Sequence, residues 1–418
     1  MGWLWFFFGL LWLLLGAVAS FRWMPRDRRV DVARKYWDVV AQPGAELTPQ
    51  MILIALVVSG GLFAANAHRS GPGGVGAALT GLAIGLLLLI FVRSAGEQRR
   101  FDGLLRQALG PRFLDTLSPE RRATATAPVS MREWLRPLQR DLSGIDTVAD
   151  IAYGEHGERN LLDVLRPAGP ILPGRPVLLH MHGGGYAWGH KNLSALPLLH
   201  RLARSGWVVV TINYRLVPAA RWPAQLVDAK CAVAWIREHI AEHGGDPGFI
   251  AATGGSAGGN LSLLLATTAG RLELQPGFEQ ADTRIQAAVP VYAGLEDYDF
   301  SREDDLLVKH TRENVMPPAL RDDLAACGAT LPARNLSADA PPVLVVTGTL
   351  DALAIVEGAR QFVARLKAVS RSPVLLAEVQ GGFHGFDDVR SLRTLATARG
   401  IHQFLEWVHA RWREGEQR

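Results

Sequence analysis

Three uncharged apolar runs in the first hundred residues constrain this chain more than any other feature. The runs cover residues 3–19, 48–67 and 75–92, and the last is dominated by Leu, Ile, Ala and Gly. An 18-residue helix rises about 27 Å, close to the roughly 30 Å of hydrocarbon in a bilayer. Three such runs so close together are not typical of helices buried in a soluble core. We therefore expect a membrane segment over residues 1–100 with three transmembrane helices, the last two joined by a tight turn at residues 70–74.

The basic residues of the chain are concentrated beside these runs. The whole chain carries a formal charge of +4, whereas residues 1–112 alone carry +6 and the remainder −2. Six basic residues follow the first run and five follow the third, but only Arg69 lies at the turn between the second and third. This asymmetry predicts membrane orientation rather than nucleic-acid binding. It places the N-terminus outside and everything after Val92 in the cytoplasm, as in an integral protein of a bacterial-type plasma membrane.

An alternative interpretation of the first run is a cleaved signal peptide. Residues 17–19 read Ala-Val-Ala, which resembles an A-x-A cleavage site. The stretch lacks a basic region before its apolar part, and cleavage would place both Arg-rich links outside. The chain holds only two cysteines, Cys231 and Cys327, so a disulfide framework is excluded and a reducing compartment is the simpler expectation.

From about residue 145 onward, short β-branched runs alternate with longer helical stretches. Near-continuously apolar strands separated by helices predict a mostly parallel sheet covered on both faces, with its chemistry at the carboxyl ends of the strands. Residues 101–144 between the membrane segment and this region read as a helical connector. The predicted strands are Leu162–Leu165, Val177–Met181, Trp207–Asn213, Phe249–Thr253, Ile285–Tyr292, Val343–Thr347 and Val374–Val379. The predicted helices are Pro197–Ser205, Pro223–His243, Asn260–Ala269, Ile355–Val369 and Arg393–Trp412.

A glycine-rich motif follows the fourth predicted strand. Residues 254–259 read Gly-Gly-Ser-Ala-Gly-Gly and precede an apolar helix. G-x-S-x-G between a strand and a helix is typical of a nucleophile elbow, where the turn is so sharp that the residues beside the serine must be small. The alternative, a phosphate-binding loop, lacks both the G-x-x-x-x-G-K-[ST] and the G-x-G-x-x-G spacing. The motif predicts Ser256 as a nucleophile.

A second motif follows the Val177 strand, where residues 182–186 read His-Gly-Gly-Gly-Tyr. Successive glycines leave backbone N–H groups free to approach a developing oxyanion, as in an oxyanion hole. The alternative is a metal site, because His180 and His182 share one face of the strand. No acidic residue or cysteine clusters with them, so a metal is not expected.

A serine nucleophile needs a base and an orienting acid, which should follow it in the order acid, then histidine. Asp351 follows one apolar strand and His384, within Gly-Gly-Phe-His-Gly-Phe, follows the next. Taken singly, Asp351 could cap a helix and His384 could be an ordinary loop histidine. Together with the two glycine motifs they predict a Ser256–His384–Asp351 triad.

These motifs together resemble the hormone-sensitive-lipase-like family of α/β-hydrolases. The resemblance covers roughly residues 145–418 and is carried by HGGGY (182–186), NYRLVP (213–218), GDP (245–247), GGSAGGN (254–260) and HGF (384–386). It implies the α/β-hydrolase fold, with Ser256 as nucleophile, His384 as base and Asp351 as orienting acid. It further implies an oxyanion hole formed by the N–H groups of Gly184, Gly185 and Ala257. The motif positions His182, Gly183, Gly254 and Gly258 would shape these turns.

The chain departs from the family pattern at two places. Gly255 precedes the serine where the family commonly has Asp, which predicts looser hydrogen bonding at the elbow. The residues after Asp351 read Ala-Leu-Ala-Ile-Val-Glu rather than P-L-x-D-E. The other nearby acids, Glu296, Asp299 and Asp304, lie too early in the chain for the expected strand end.

The sequence therefore predicts a membrane-anchored serine carboxylesterase or lipase that works through an acyl-enzyme. Its expected partners are a small-molecule or lipid ester and membrane lipids, with no metal, no organic cofactor and no nucleic acid. Residues 101–142 and the insertion at residues 296–340 are both candidate caps over the acyl pocket. Two alternatives stay open: a deacetylase, thioesterase or amidase on the same triad, and a non-catalytic ligand-binding protein of the same fold.

Overall fold

The computed structural model describes residues 1–20, 40–302 and 304–416. The basic link after the first apolar run lies largely outside these residues. Within them, the N-terminal helices are α1 (Gly2–Ser20), α2 (Val40–Glu46), α3 (Thr48–Ala64) and α4 (Gly71–Ala95). The connector helices are α5 (Glu97–Leu109), α6 (Pro119–Thr126) and α7 (Met131–Leu135).

Close packing of small residues brings α1 and α4 together. A Cβ on Gly76 would lie 2.5 Å from the backbone of Trp5 and Phe6, and one on Gly9 would lie 2.5 Å from the carbonyl of Gly76. Glycine at such contacts lets two apolar helices approach backbone to backbone, as small residues do in membrane proteins. The outward faces of both helices expose large apolar side chains, among them Trp3, Phe7, Leu82 and Val92.

The predicted membrane segment is mostly helical in its described part, but the turn predicted at residues 70–74 lies a few residues earlier. Residues 65–70 join α3 to α4, and residues 71–74 form the first turn of α4, which Ser70 caps. Two helices, Gly2–Ser20 and the continuous stretch Gly71–Leu109, are long and apolar enough to cross a membrane. The second predicted span, residues 48–67, is shorter than expected because α3 ends at Ala64. The axis of α3 is also bent by 87° relative to that of α2. The α2–α3 pair would make a third span only if the bent pair counts as one.

Two of the connector helices, α5 and α6, pack on the last helix, α14 (Leu392–Glu416). The ring of Phe101 is buried where α5 crosses Gly400, at which a Cβ would lie 2.1 Å from that ring. Two ion pairs join the same surfaces, Asp102 with Arg399 at 2.7 Å and Arg121 with Glu406 at 2.8 Å. Residues 97–126 are therefore fixed to the hydrolase domain by both apolar and ionic contacts.

One eight-stranded sheet forms the centre of residues 145–416. Its order is β1-β2-β4-β3-β5-β6-β7-β8; β1 and β2 pair antiparallel with their neighbours and all other pairs are parallel. The strands are β1 (Ile145–Ala152), β2 (Leu161–Pro167), β3 (Arg175–Met181), β4 (Val208–Ile212), β5 (Gly245–Gly255), β6 (Ala287–Val291), β7 (Val343–Gly348) and β8 (Val374–Val379). The remaining helices are α8 (Leu196–Arg204), α9 (Ala224–His239), α10 (Ala257–Thr267), α11 (Leu306–His310), α12 (Leu324–Gly328) and α13 (Val356–Val369).

Two hydrophobic clusters cover the two faces of this sheet. One contains Val177, Leu179 and Leu226 of α9, and the other contains Leu178, Leu202 of α8 and Phe404 of α14. Neighbouring residues of β3 thus point into opposite clusters, as the period of two in a strand requires. The mostly parallel sheet with helices on both faces confirms the predicted α/β-hydrolase class. All seven predicted strands are present, and β1 is an additional antiparallel edge strand.

Candidate active site

The strand-to-helix turn at Ser256 is as sharp as the motif predicts. Ser256 lies between β5 and α10 with φ +54° and ψ −118°, a backbone conformation that non-glycine residues rarely adopt. A Cβ on Gly254 would lie 2.4 Å from the carbonyl of Met181, and one on Gly258 would lie 2.1 Å from the same oxygen. Glycine at both positions allows β3 to pass beneath the turn and lifts the serine side chain away from the sheet.

Three side chains from three different loops meet at this turn. The Nε2 of His384 lies 3.0 Å from the Oγ of Ser256, and its Nδ1 lies 3.0 Å from Oδ2 of Asp351. Asp351 follows β7 and His384 follows β8, so both loops leave the carboxyl edge of the sheet. The structure therefore brings together the three residues predicted as a triad, in hydrogen-bonding order.

The carboxylate of Asp351 is completely buried and accepts more than one hydrogen bond. Its Oδ1 accepts from the backbone N–H groups of Leu353 at 2.8 Å and Ala354 at 2.7 Å, which leaves Oδ2 directed at His384. The alternative of a helix cap does not apply to α13, because that helix begins only at Val356. The two backbone donors fix the orientation of the carboxylate toward the histidine.

Two glycines that follow β3 line the same cavity as the serine and have left-handed backbone conformations. Gly184 has φ +113° and Gly185 has φ +59°, and a Cβ on Gly184 would lie 2.1 Å from the carbonyl of Trp188. The N–H of Ser256 donates to Val291 and is already used, whereas Ala257 is the first residue of α10, whose first-turn N–H groups have no partner within the helix. Gly184 and Gly185, two of the positions expected to form an oxyanion hole, line the same cavity as Ser256, and the third, Ala257, follows the serine directly in the chain.

A cavity of about 670 Å³ opens above these residues. Its wall includes the serine, the histidine, the glycine turn and part of the insertion at residues 296–340. His310 of α11 contributes to this wall, and its Nε2 lies 2.7 Å from the carbonyl oxygen of Gly185. The lining residues are His182–Gly185, Ala187–His190, Leu193, Ser194, Ser256, Tyr292, Leu306, Leu307, His310, Leu353, His384, Gly385 and Asp388.

His180 in β3 and His182 directly after it are both buried. His180 is buried with its Nδ1 3.0 Å from the hydroxyl of Thr211, and burial lowers its pKa to about 3. The ring of His182 stacks on Tyr214 at 4.3 Å, and burial lowers its pKa to about 4. Both rings are therefore neutral at pH 7. Within the described residues, no group of three or more His, Cys, Asp or Glu side chains is arranged to hold a metal.

Tyr292 explains why a glycine precedes the nucleophile. A Cβ on Gly255 would lie 2.5 Å from the Tyr292 hydroxyl, so the ring occupies the space that an aspartate would need. That hydroxyl donates a 2.5 Å hydrogen bond to Asp387, and the ring packs 4.9 Å from the His384 ring. Burial raises the pKa of the Asp387 carboxyl. The elbow is thus braced by a tyrosine and an acid from the histidine loop instead of by its own side chain.

Glu296 supports the loop that carries Asp351. Its Oε1 accepts from the N–H of Ile355 at 2.9 Å and its Oε2 accepts from the Tyr298 hydroxyl at 3.0 Å. Burial raises the pKa of this carboxyl to about 7. Asp351, as predicted from its place in the chain, is the acid that bonds to His384 Nδ1. Glu296 instead holds the segment that departs from P-L-x-D-E. Sequence reasoning missed this role because the two residues are 59 positions apart.

The loop that carries His384 rests on the N-terminal apolar helices. Phe383 is fully buried in a cluster with Ala19, Ala41 and Ile90, which belong to α1, α2 and α4. The side-chain amide of Gln42 in α2 donates to the carbonyl of Gly385 at 2.5 Å. No motif in the sequence connects α2 to the histidine.

A buried ion pair anchors the same junction a few residues further on. Arg393 at the start of α14 pairs with Glu46 of α2, and both side chains are about 1 % exposed. Glu46 also accepts from the Ser391 hydroxyl at 2.6 Å, and Arg393 donates to Ser94 of α4 at 3.0 Å. The apolar helices and the hydrolase domain therefore share a polar interface next to the candidate site.

The profile of the BD-FAE family matches residues 162–366, which include the serine elbow and Asp351. Two similar proteins come from Mycobacterium tuberculosis. The "Probable carboxylic ester hydrolase LipM" is 45 % identical over 274 residues, and "Esterase LipQ" is 37 % identical over 265 residues. The hydrolase domain is thus similar, over this matched region, to the hormone-sensitive-lipase-like family of α/β-hydrolases. The resemblance stated from the motifs is thereby confirmed.

The similarity covers only part of this chain and only part of each relative. The match to LipM spans 64 % of this chain and 63 % of LipM, and the match to LipQ spans 63 % of each. Among solved structures, Esterase B from Lactobacillus rhamnosis superposes with a TM-score of 0.56 over 76 % of this chain and 99 % of its own, at 17 % identity. That likeness supports the fold.

Proposed function

We propose that this protein is a serine carboxylesterase or lipase that cleaves acyl esters in the 670 Å³ cavity above Ser256. The observation that carries the proposal is the continuous hydrogen-bonded series from Ser256 through His384 to Asp351, with 3.0 Å at each step. The relatives LipM and LipQ are named as ester hydrolases, which supports the same class of reaction.

The chemistry follows from the geometry. His384 Nε2 accepts the proton of Ser256 Oγ as that oxygen attacks the ester carbonyl, and the Asp351 carboxylate stabilises the resulting imidazolium. The N–H groups of Gly184, Gly185 and Ala257 stabilise the tetrahedral oxyanion. His384 then returns the proton to the departing alcohol and an acyl-Ser256 remains. A water deprotonated by His384 attacks this acyl group, which releases the acid and restores the serine.

The acyl-transfer proposal is tested by comparing two nearby serines. Ser256→Ala should lower kcat/KM for p-nitrophenyl butyrate by at least about 10⁴-fold, because it removes the nucleophile. Ser262→Ala is the matched control, since Ser262 is buried on α10 and donates to the carbonyl of Gly259. Equal activity in the wild type and Ser256→Ala would reject the mechanism. A panel of butyryl thioester, amide and acetylated substrates would show whether another acyl bond is preferred.

We further propose that α1 and α4 cross a bilayer and hold the hydrolase domain at the cytoplasmic surface. The domain meets the C-terminal ends of both helices, where Phe383 packs with Ala19 and Ile90. Arg93 lies in the last turn of α4, and Arg99 and Arg100 follow in α5. Basic residues favour the cytoplasmic side. An impermeant fluorophosphonate should label Ser256 only after cells are permeabilised. Labelling in intact cells would place the domain outside.

A further inference from the structure

The segment between α6 and β1 exposes an unusual series of apolar side chains. Leu135, Leu138 and Leu142 are 54 %, 76 % and 49 % exposed. Arg132, Arg136 and Arg140 alternate with them and are also exposed. We call residues 132–142 the interfacial strip. Leucines that alternate with arginines and face solvent are typical of a surface that lies between lipid tails and headgroups.

One end of the strip touches the apolar helices. The Trp134 ring lies 6.0 Å from the Phe91 ring of α4, and its backbone carbonyl accepts from the Gln50 side chain of α3 at 2.9 Å. Phe91 adjoins Val92, which is 66 % exposed on the outward face of α4. Tryptophan is favoured where a membrane helix leaves the hydrocarbon. The strip therefore begins at the level where α4 would emerge from a bilayer.

The other end of the strip reaches the mouth of the cavity. The carbonyl of Pro137 accepts from the N–H of Arg390 at 3.0 Å, six residues after His384. Arg140 donates to the carbonyl of Asn192 at 2.8 Å, directly before Leu193 of the cavity wall. Leu193 is 54 % exposed and Trp188, on the same rim, is 68 % exposed. The interfacial strip thus connects α4 with the loop that carries the exposed apolar side chains of the cavity rim.

We propose that the interfacial strip lies in the surface of the bilayer that holds α1 and α4, and that the cavity mouth receives esters dissolved in that bilayer. This inference rests on the proposed function and specifies its substrate class, acyl esters that are anchored in the membrane by their alcohol or acyl part. Leucines would enter the acyl boundary while the arginines contact lipid phosphates. Asp141, the acid next to Leu142, pairs with Arg204 and does not oppose this contact.

The test uses the full-length protein in nanodiscs of phosphatidylcholine and phosphatidylglycerol. The triple variant Leu135→Ser, Leu138→Ser and Leu142→Ser removes the apolar part of the strip without touching the cavity wall. The matched control is Ile171→Ser with Leu172→Ser. These residues are 51 % and 56 % exposed, and they precede the first residue of β3, at the end of the strands opposite to the cavity. Two substrates share one acyl group, water-soluble p-nitrophenyl butyrate and bilayer-dissolved hexadecyl butyrate, and butyrate release is measured for both.

The strip variant should hydrolyse hexadecyl butyrate about tenfold more slowly than the wild type, with p-nitrophenyl butyrate and the control variant within about twofold. Unchanged hydrolysis of hexadecyl butyrate by the strip variant would overturn the inference, as would an equal loss on both substrates. A wild type that cleaves only p-nitrophenyl butyrate also overturns it and leaves the proposed function intact. A wild type that cleaves neither ester contradicts the proposed function itself.

Discussion

Ser256 and His384 lie 3.0 Å apart but are held in place by different parts of the molecule. The serine is positioned by its own domain, because β3 passes under Gly254 and Gly258 and the Ser256 N–H bonds to Val291. The histidine loop is positioned partly from outside the domain. Phe383 packs among α1, α2 and α4, and the bond from Gln42 to Gly385 joins residues 343 positions apart.

The contacts that position the serine come from residues close to it in the fold of its own domain, whereas those that position the histidine loop come from a distant part of the sequence. Local backbone geometry makes the elbow rigid, so its function should depend on small residues within a few positions of the serine. The histidine loop depends on contacts with the apolar segment, so its function should respond to substitutions far away in the sequence. We expect the N-terminal helices to contribute to the candidate active site as well as to anchoring.

The acid that orients the histidine gives the largest effect within this comparison. Asp351→Asn should lower kcat by about 10³- to 10⁴-fold, because the neutral amide favours the wrong histidine tautomer and does not stabilise the imidazolium. Asp323→Asn is the matched control, since Asp323 accepts from two backbone N–H groups at 3.0 Å in the same manner but contacts no histidine in the described structure. Steady-state kinetics on p-nitrophenyl butyrate measure both. A loss below tenfold for Asp351→Asn would mean that another acid orients His384.

The elbow should be intolerant of aspartate at position 255, the residue of the family pattern from which this sequence departs. Gly255→Asp should lower kcat/KM by about 10²-fold, because a Cβ would approach the Tyr292 hydroxyl to 2.5 Å and displace the turn. Gly270→Asp is the control, since nothing lies within 4 Å of a Cβ there. If Gly255→Asp retained full activity, the elbow would be less rigid than the comparison requires.

The long-range half of the comparison is tested at Gln42, which we regard as a positioning residue. Gln42→Ala should lower kcat about five- to tenfold with little change in KM, because one hydrogen bond to the histidine loop is lost. Gln50→Ala removes a similar amide-to-carbonyl bond from the same apolar segment, to Trp134 at 2.9 Å, and should leave kcat for soluble esters unchanged. Equal effects of the two substitutions on kcat would contradict a specific role for α2.

The last effect concerns stability rather than catalysis, and it is a pH dependence at Glu296. Burial raises the pKa of this carboxyl from 4.5 to about 7, so the folded state resists its ionisation. Stability should therefore fall as the pH rises from about 4.5 through 7, by about 2 to 3 kcal/mol for this group. Glu296→Gln should melt about 5 °C above the wild type at pH 8.5 and close to it at pH 4.5. A constant difference between the two proteins across this range would show that the ionisation of Glu296 does not affect stability.

Much of the fold and the centre of the candidate site could be predicted from the sequence. The glycine motifs predict Ser256 and the turn at Gly184 and Gly185 because backbone geometry there excludes larger side chains. Asp351 and His384 follow from the order of strand ends. Strand β1 was not predicted because most of its side chains are exposed and its sequence carries only a weak apolar signal.

The supporting contacts could not be predicted, because they join residues far apart in the chain. Tyr292 fills the space beside Gly255, Glu296 holds the Asp351 loop and Gln42 holds the His384 loop. None of these residues belongs to a motif. The end of α3 at Ala64 and the bend of 87° between α2 and α3 are likewise tertiary features that hydropathy does not indicate.

The most direct test of the central claim is to locate the adduct formed by a fluorophosphonate on the full-length protein. Phosphonylation requires a serine activated by a neighbouring base, and peptide mass spectrometry identifies which serine carries the phosphorus. We expect one adduct, on Ser256, which is absent in Ser256→Ala and formed at least about 10²-fold more slowly in His384→Ala. An adduct on another residue, or none under conditions where p-nitrophenyl butyrate is hydrolysed, would contradict this account.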